Sequence, residues 1–153
     1  MKKLILTSLI ATGVMSAAHA AATETSTFQV TAEVAASCQI TTNSLAFGSF
    51  DPSVGTTGSA SLDVACTSGS TGTVTLESGN MWAMSDGTNS LNYALYTDAS
   101  HTSVWNNVTA SQSVTGAGLA TPSTFTVYGK IDAQPAATVS AGYADTVTVT
   151  VTY

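Results

Sequence analysis

Few side chains in this sequence could carry out chemistry. After residue 20 it has two cysteines, Cys38 and Cys66, and one histidine, His101. No serine stands in a GxSxG context, no DxDxDG run is present, and the acids are scattered singly. Catalysis and calcium binding each need several such groups brought together. We therefore expect no catalytic site, no metal site and no cofactor, and we interpret the acids as solvated surface carboxylates.

The two cysteines could form a disulfide or contribute to a zinc site. Structural zinc needs four nitrogen or sulfur ligands, whereas this chain offers one histidine after residue 20 and no CxxC pair. In an exported protein an oxidising compartment favours a disulfide. A bond between Cys38 and Cys66 would close a loop of roughly 29 residues, which the chain-entropy model values at about 3.5 kcal/mol.

The first twenty residues look like a secretory signal peptide. Lys2 and Lys3 precede an apolar stretch over residues 4–14, and the small-residue sequence at positions 18–20 ends in an A-x-A cleavage site. This stretch is shorter than the roughly 20 residues that span a bilayer. We expect an exported protein that begins at Ala21 and does not insert into a membrane.

The remaining chain is acidic and rich in strand-forming residues. It contains one base, Lys130, and all nine acids, so nucleic acid and anionic membrane surfaces are poor partners. Thr, Val and Ser dominate, and short alternating runs are separated by Gly, Pro, Asp and Asn. We predict an all-β chain of about seven strands in one immunoglobulin-like antiparallel sandwich. The alternation indicates a first strand at residues 28–34 and further strands that include residues 60–66, 91–95 and 125–131, with a loop over residues 109–123.

The final segment, Thr146 to Tyr153, reads TVTVTVTY and raises a problem for such a sandwich. Its alternation places one set of side chains on one face and the threonines on the other. That set is Val147, Val149, Val151 and Tyr153. An uncharged strand at an open edge would template aggregation, so something must cover it.

A second alternating segment lies before Cys38 and is a candidate for that cover. Its apolar positions are Phe28, Val30, Ala32 and Val34, separated by Gln29, Thr31 and Glu33. Extended segments bind open sheet edges through main-chain hydrogen bonds, with alternate side chains giving specificity.

Several motifs together resemble the spore coat protein U domain family, which includes the archaic, Csu-type chaperone-usher pilins. They are Cys38, Leu45-Ala46-Phe47-Gly48, Val64-Ala65-Cys66, Leu91-Asn92-Tyr93-Ala94-Leu95-Tyr96, Trp105, Tyr128-Gly129-Lys130-Ile131 and Tyr143-Ala144-Asp145-Thr146-Val147. The resemblance runs from about Phe28 to Tyr153 and depends on the order and spacing of these motifs.

The resemblance implies an incomplete immunoglobulin-like sandwich with a hydrophobic groove beside its carboxyl-terminal strand. A periplasmic chaperone fills the groove first, and the amino-terminal extension of the next subunit replaces it at an outer-membrane usher. For this chain it implies a donor-strand extension over residues 21–36 and a pilin-like domain over residues 37–153. The donor would be Phe28, Val30, Ala32 and Val34, and the acceptor strand Val147, Val149, Val151 and Tyr153.

We expect a structural pilus subunit that assembles with other pilin subunits, in a homopolymer or a mixed fibre, for adhesion or biofilm formation. Transit through the periplasm would end at the cell surface. One alternative is a secreted coat or matrix protein whose first strand folds back into its own groove. Another is a carbohydrate-binding module with a face built from Trp82 or Trp105. The apolar loop around Trp82 could instead plug the open end of the sandwich.

Overall fold

The computed structural model describes residues 21–153, so the expected signal peptide, residues 1–20, lies outside the described residues. The chain divides into two units, with the boundary between Glu33 and Val34. The described part of the first unit, residues 21–33, is exposed and belongs to no strand.

The second unit is built from β-strands, and nine are found within the described residues. They are β1 (Cys38–Thr42), β2 (Thr56–Cys66), β3 (Thr71–Ser78), β4 (Ala83–Ser85), β5 (Ser90–Asn92), β6 (Ala94–Tyr96), β7 (Gln112–Thr115), β8 (Ser123–Ile131) and β9 (Val147–Thr152). The described residues contain no helix. This confirms the all-β prediction.

All of the strand pairs are antiparallel, and they form two main sheets. The first has the order β1-β2-β8-β6 and the second the order β7-β3-β9, while β4 and β5 form a separate hairpin. Both long strands of the first sheet, β2 and β8, are paired on each side.

The core lies between the two sheets because the alternation of each strand turns its apolar side chains inward. The first sheet contributes Leu62, Val64, Leu95, Val127 and Ile131, and the second contributes Val74, Leu76 and Val114, each 8% exposed or less. Trp105 is fully buried, and its indole nitrogen donates a hydrogen bond to the Val74 carbonyl oxygen at 3.2 Å.

The predicted disulfide is confirmed. Cys38 begins β1 directly opposite Cys66, the last residue of β2, and the two sulfurs are bonded at 2.05 Å. The register continues beyond the bond, since the Thr67 amide donates to the Ser37 carbonyl oxygen. The disulfide therefore anchors the edge strand β1 to the interior of its sheet.

The strand predictions were wrong at two places. The run from Leu91 to Leu95 is not one strand, because β5 pairs with β4 whereas β6 pairs with β8. The stretch 109–123, predicted as a loop, contains β7. Residues 28–34 have no strand partner within the described residues, and Phe28 is 88% exposed, so their role as a strand that pairs with another subunit stays a prediction.

Candidate functional site: an open groove between two edge strands

The candidate site lies between β1 and β9, each of which ends its sheet. Within residues 21–153, β1 is hydrogen-bonded to β2 alone and β9 to β3 alone. Each strand therefore keeps one row of backbone N–H and C=O groups without a strand partner. Such an edge can pair with another chain.

The inward side chains of these two strands are incompletely covered. Ile40 in β1 stands opposite Val64, and paired residues point to the same face of a sheet. Yet Ile40 is 39% exposed and Val64 only 1%. Val149 in β9 is likewise half-buried, although its partner Leu76 is fully buried. The core is thus closed at the inner strands and open at these edges.

The gap beside these strands holds a cavity of about 450 Å³. Its floor is made of the core residues Leu62, Leu76, Leu95 and Val127. Its walls are the start of β9, at Val147 and Val149, and the segment that follows β1, at Leu45 and Phe47. We call this cavity and the two strands beside it the groove.

Two glycines allow Leu45 and Phe47 to form a wall of the groove. A Cβ atom on Gly129 in β8 would lie 2.7 Å from Cζ of Phe47, and one on Gly58 in β2 would lie 3.3 Å from the Leu45 side chain. The two side chains therefore rest against bare backbone. The sequence predicted neither of these wall residues, because the contacts join segments far apart in the chain.

One end of the groove is polar. The Asp145 carboxylate accepts hydrogen bonds from the hydroxyls of Tyr93 and Ser78, both at 2.6 Å, and from the Thr146 amide at 2.7 Å. Burial, together with the bond to Asp145, raises the pKa of Tyr93 well above its ordinary value. The sequence predicts a solvated surface carboxylate at Asp145, but this residue lines the groove.

The same network fixes the turn that contains Trp82. The Ser78 hydroxyl accepts hydrogen bonds from the amides of Asn80 and Trp82, at 3.1 and 2.6 Å. Trp82 packs edge-on against Tyr93, with ring centroids 5.9 Å apart, and Met84 also packs on the core. These two residues fit the plug interpretation, whereas Met81 is 89% exposed.

The predicted site residues fall into two groups. On β9, Val147, Val149 and Val151 are half-buried, the alternating threonines are exposed, and Tyr153 after the strand is 57% exposed. In the other group, Phe28, Val30 and Val34 are each at least 80% exposed, and Ala32 is exposed too. The roles of both groups remain predictions.

The other candidate groups do not form a reactive site. Trp105 is fully buried, so the expectation that it could build a binding face is wrong. His101 packs edge-on against Tyr96, with ring centroids 5.2 Å apart. Lys130 forms a surface ion pair with Asp132 at 2.7 Å. Within residues 21–153, no three His, Cys, Asp or Glu side chains are grouped so that they could hold a metal ion. The same residues include no helix that is long and apolar enough to cross a membrane.

Two sheets that enclose a core but leave a groove between facing edges define an immunoglobulin-like sandwich with an open edge. Residues 24–150 match the family model of the Spore Coat Protein U domain. The chain therefore belongs to this family. A search of curated proteins found no significant match.

Among solved structures, the chain is similar to one in the CsuC–CsuE chaperone–tip adhesion subunit pre-assembly complex from the archaic chaperone-usher Csu pili of Acinetobacter baumannii. The TM-score is 0.58 at 21% sequence identity. The match covers 78% of this chain and 40% of the other, so this chain spans less than half of that structure's length. The similarity establishes a shared fold.

Proposed function

We propose that this protein is a structural pilus subunit that polymerises by donor-strand complementation. In this scheme residues 21–36 of one subunit form a strand in the groove of the next. The observation that carries the proposal is the incomplete cover of the inward side chains on β1 and β9, shown by Ile40 beside the fully buried Val64. An added strand between these edges would pair with both and close the core.

The exposed segment before β1 has the pattern that such a strand needs. With Phe28, Val30, Ala32 and Val34 facing the groove, Gln29, Thr31 and Glu33 would face solvent. Burying each large apolar side chain contributes about 1.5 to 3 kcal/mol. Ordering each residue of the segment costs about 1 to 2 kcal/mol. The apolar contacts and the new main-chain hydrogen bonds must together exceed that cost.

The same geometry implies helper proteins before assembly. An apolar groove and an unpaired edge on one molecule invite aggregation, so we infer that a periplasmic chaperone occupies the groove until an outer-membrane usher exchanges it for a donor strand. The similarity to a chaperone–subunit complex supports this inference. A head-to-tail contact that does not close into a ring produces a fibre. We further propose that this fibre is displayed at the cell surface for adhesion or biofilm formation.

Assembly can be tested with a matched pair of variants in the exported full chain. Val30→Asp would place an unpaired carboxylate in the groove, which is costly. Thr31→Asp introduces the same charge one residue away, on the solvent side. With the cognate chaperone and usher present, the parent and Thr31→Asp should give a ladder of polymers on unboiled detergent gels that collapses to monomer on boiling. Val30→Asp should remain monomeric.

Two outcomes would contradict the proposal. A parent protein that stays monomeric in unboiled samples would favour the coat or matrix protein, in which the first strand folds back into its own groove. Ladders of equal length from both variants would show that residues 28–34 are not the donor strand.

A further inference from the structure

The short tether between the donor segment and its own domain limits how far apart two joined subunits can lie. Val34 is the last apolar position of the donor segment, and Ser37 is already fixed to the domain, since its backbone forms hydrogen bonds with Thr67. Only residues 35 and 36 lie between Val34 and Ser37. Three steps of extended chain span at most about 10 Å. The domain of an incoming subunit must therefore lie against the domain whose groove holds its donor strand.

The strands of the sandwich run between two ends. At the first, which we call the disulfide end, Cys38 begins β1 opposite Cys66, and the turn over residues 67–70 leads into β3. At the second, which we call the Met81 end, β3 finishes, the turn that contains Met81 follows, and β9 begins. The chain enters the sandwich from the donor segment at the disulfide end.

The direction of the donor strand decides which end of the acceptor domain the incoming subunit meets. Strand pairs within the described residues are all antiparallel, and a donor strand antiparallel to β9 leaves the groove where β9 begins, at the Met81 end. A parallel donor strand would leave at the disulfide end, where the tether of the acceptor itself emerges. The antiparallel arrangement places the disulfide end of one subunit against the Met81 end of the next, and such a head-to-tail contact can repeat along a fibre.

The Met81 end carries apolar side chains that its own domain does not cover. Val54, Met81 and Val139 lie in three different loops of this end, and each is at least 75% exposed. Met81 and Trp82 have φ angles of 51° and 63°, which are uncommon for residues other than glycine. Such backbone persists where the surrounding structure fixes it, and it is concentrated at functional sites. Here the Ser78 hydroxyl fixes the turn by accepting a hydrogen bond from the Trp82 amide, so Met81 is held outward on a firm support.

The disulfide end can meet this surface without repulsion between like charges. Nine acids and one base after residue 20 make two subunits repel each other over most of their surfaces. Yet the segments of the disulfide end contain no charged residue, and they are residues 35–37, 67–70 and 116–122. Leu119 is 44% exposed there, beside Gly118, whose amide donates to the Cys66 carbonyl oxygen.

We propose that Val54, Met81 and Val139 of one subunit form a contact surface for the disulfide end of the next subunit, at Leu119. This contact rests on the proposed donor-strand assembly and adds a second interface outside the groove. Each junction of the fibre is then a contact between two domains as well as a shared strand.

Photo-cross-linking can test the contact in fibres that the full chain forms with its cognate chaperone and usher. A benzoylphenylalanine probe replaces Met81, whose exposed position tolerates a large side chain. Ultraviolet light should then give dimers and longer species that survive boiling, with cross-links to the three segments of the neighbouring disulfide end. The same probe at Thr126, on the exposed outer face of the other sheet, should give only monomer on boiling.

A charge at the other side of the contact provides a second measurement. Leu119→Asp should lower the yield of cross-links from the Met81 probe about fivefold or more, because it places a carboxylate in an apolar contact. Thr126→Asp adds the same charge elsewhere and should leave the yield unchanged.

The unboiled ladder before irradiation reports polymerisation separately. A normal ladder with no boiling-resistant species from the Met81 probe, with cross-links to other segments, or with an undiminished yield in Leu119→Asp would overturn the contact alone. Cross-links from a probe at Tyr153, at the disulfide end, with none from Met81 would show a parallel donor strand and would also overturn it. The absence of any ladder would overturn donor-strand assembly and the contact together.

Discussion

At the scale of single residues, Tyr93 connects the core to the polar end of the groove. It is buried between Phe47 and Trp82, with ring centroids 6.3 and 5.9 Å away, and it donates to Asp145. Asp145 lies two residues before β9. This hydrogen bond therefore helps to fix where the terminal strand begins.

Removing the Tyr93 hydroxyl should lower the stability of the folded protein and change how that stability depends on alkaline pH. Tyr93→Phe leaves Asp145 with one donor fewer, and we expect a loss of about 1 to 2 kcal/mol at pH 7. The pKa of Tyr93 is higher in the folded state than in the unfolded state. The contribution of Tyr93 to the free energy of unfolding is therefore complete below about pH 10, which is the pKa of an unfolded tyrosine. This contribution declines at higher pH, because the unfolded tyrosine ionises first. Urea unfolding between pH 7 and 11 measures both effects.

The exposed Tyr153 provides the control for this experiment, since its hydroxyl is not part of the Asp145 network. Tyr153→Phe should unfold like the parent at pH 7. The interpretation is wrong if Tyr93→Phe loses stability above pH 10 as steeply as the parent does.

At the scale of elements, β9 is the strand on which the proposed function depends. One row of its side chains faces the groove and the other row faces solvent. Substitutions at adjacent positions therefore separate donor binding from any general effect of a charge on the strand.

Val149→Asp should prevent binding of a donor peptide of residues 24–34, whereas Thr150→Asp should permit it. In the first variant the carboxylate enters an apolar groove, and in the second it stays in water. Fluorescence anisotropy of the labelled peptide, added to protein lacking residues 21–34, measures the difference, and we expect at least a hundredfold weaker binding for Val149→Asp. Comparable affinities for the two variants would place the peptide elsewhere.

The elements show how far sequence reasoning reaches. The alternation of Val and Thr predicted β9, and the pattern around Leu62 and Phe125 predicted most of β2 and β8, because a half-buried strand reveals its inward face locally. The same pattern at Leu91–Leu95 was misleading, since alternation does not tell which sheet a strand joins. β7 was missed because only Val114 marks an inward position among Ser, Thr and Gly.

The groove was harder to predict than the strands. The uncharged terminal strand predicted an open edge that needs cover. The groove does lie beside this strand, at residues 147–151. The wall of the groove at Phe47 depends on a contact between distant segments, since the Phe47 ring packs against Gly129. The polar end at Asp145 also depends on distant residues, because its hydrogen-bond donors include Tyr93 and Ser78. Such contacts follow from tertiary packing, and no local pattern indicates them.

At the scale of the whole molecule, we propose that residues 37–153 form a fold that lacks one strand. Moving residues 21–36 to follow Tyr153 through a short flexible linker would let that strand run antiparallel to β9 within one chain. Since the groove would then be filled, we expect a monomer whose thermal midpoint exceeds that of the domain without residues 21–36 by at least 10 °C. Sedimentation velocity and thermal unfolding measure these properties, and the same chain with Val30→Asp serves as the control.

A relocated segment that leaves the thermal midpoint unchanged would mean that the groove is completed by another sequence. A large increase in the Val30→Asp control would argue instead for nonspecific packing of the added residues.

The position of Lys130 has a consequence for digestion of this protein by trypsin. It is the one trypsin site after residue 20, and it lies in β8, where it pairs with Thr57 on one side and Ala94 on the other. A protease needs a freed, extended backbone, and here that requires the sheet to come apart. When the domain opens and closes quickly relative to cleavage, the rate of cutting at Lys130 reports the fraction of molecules that are open. A protein with its groove occupied should therefore persist in trypsin far longer than one with its groove empty.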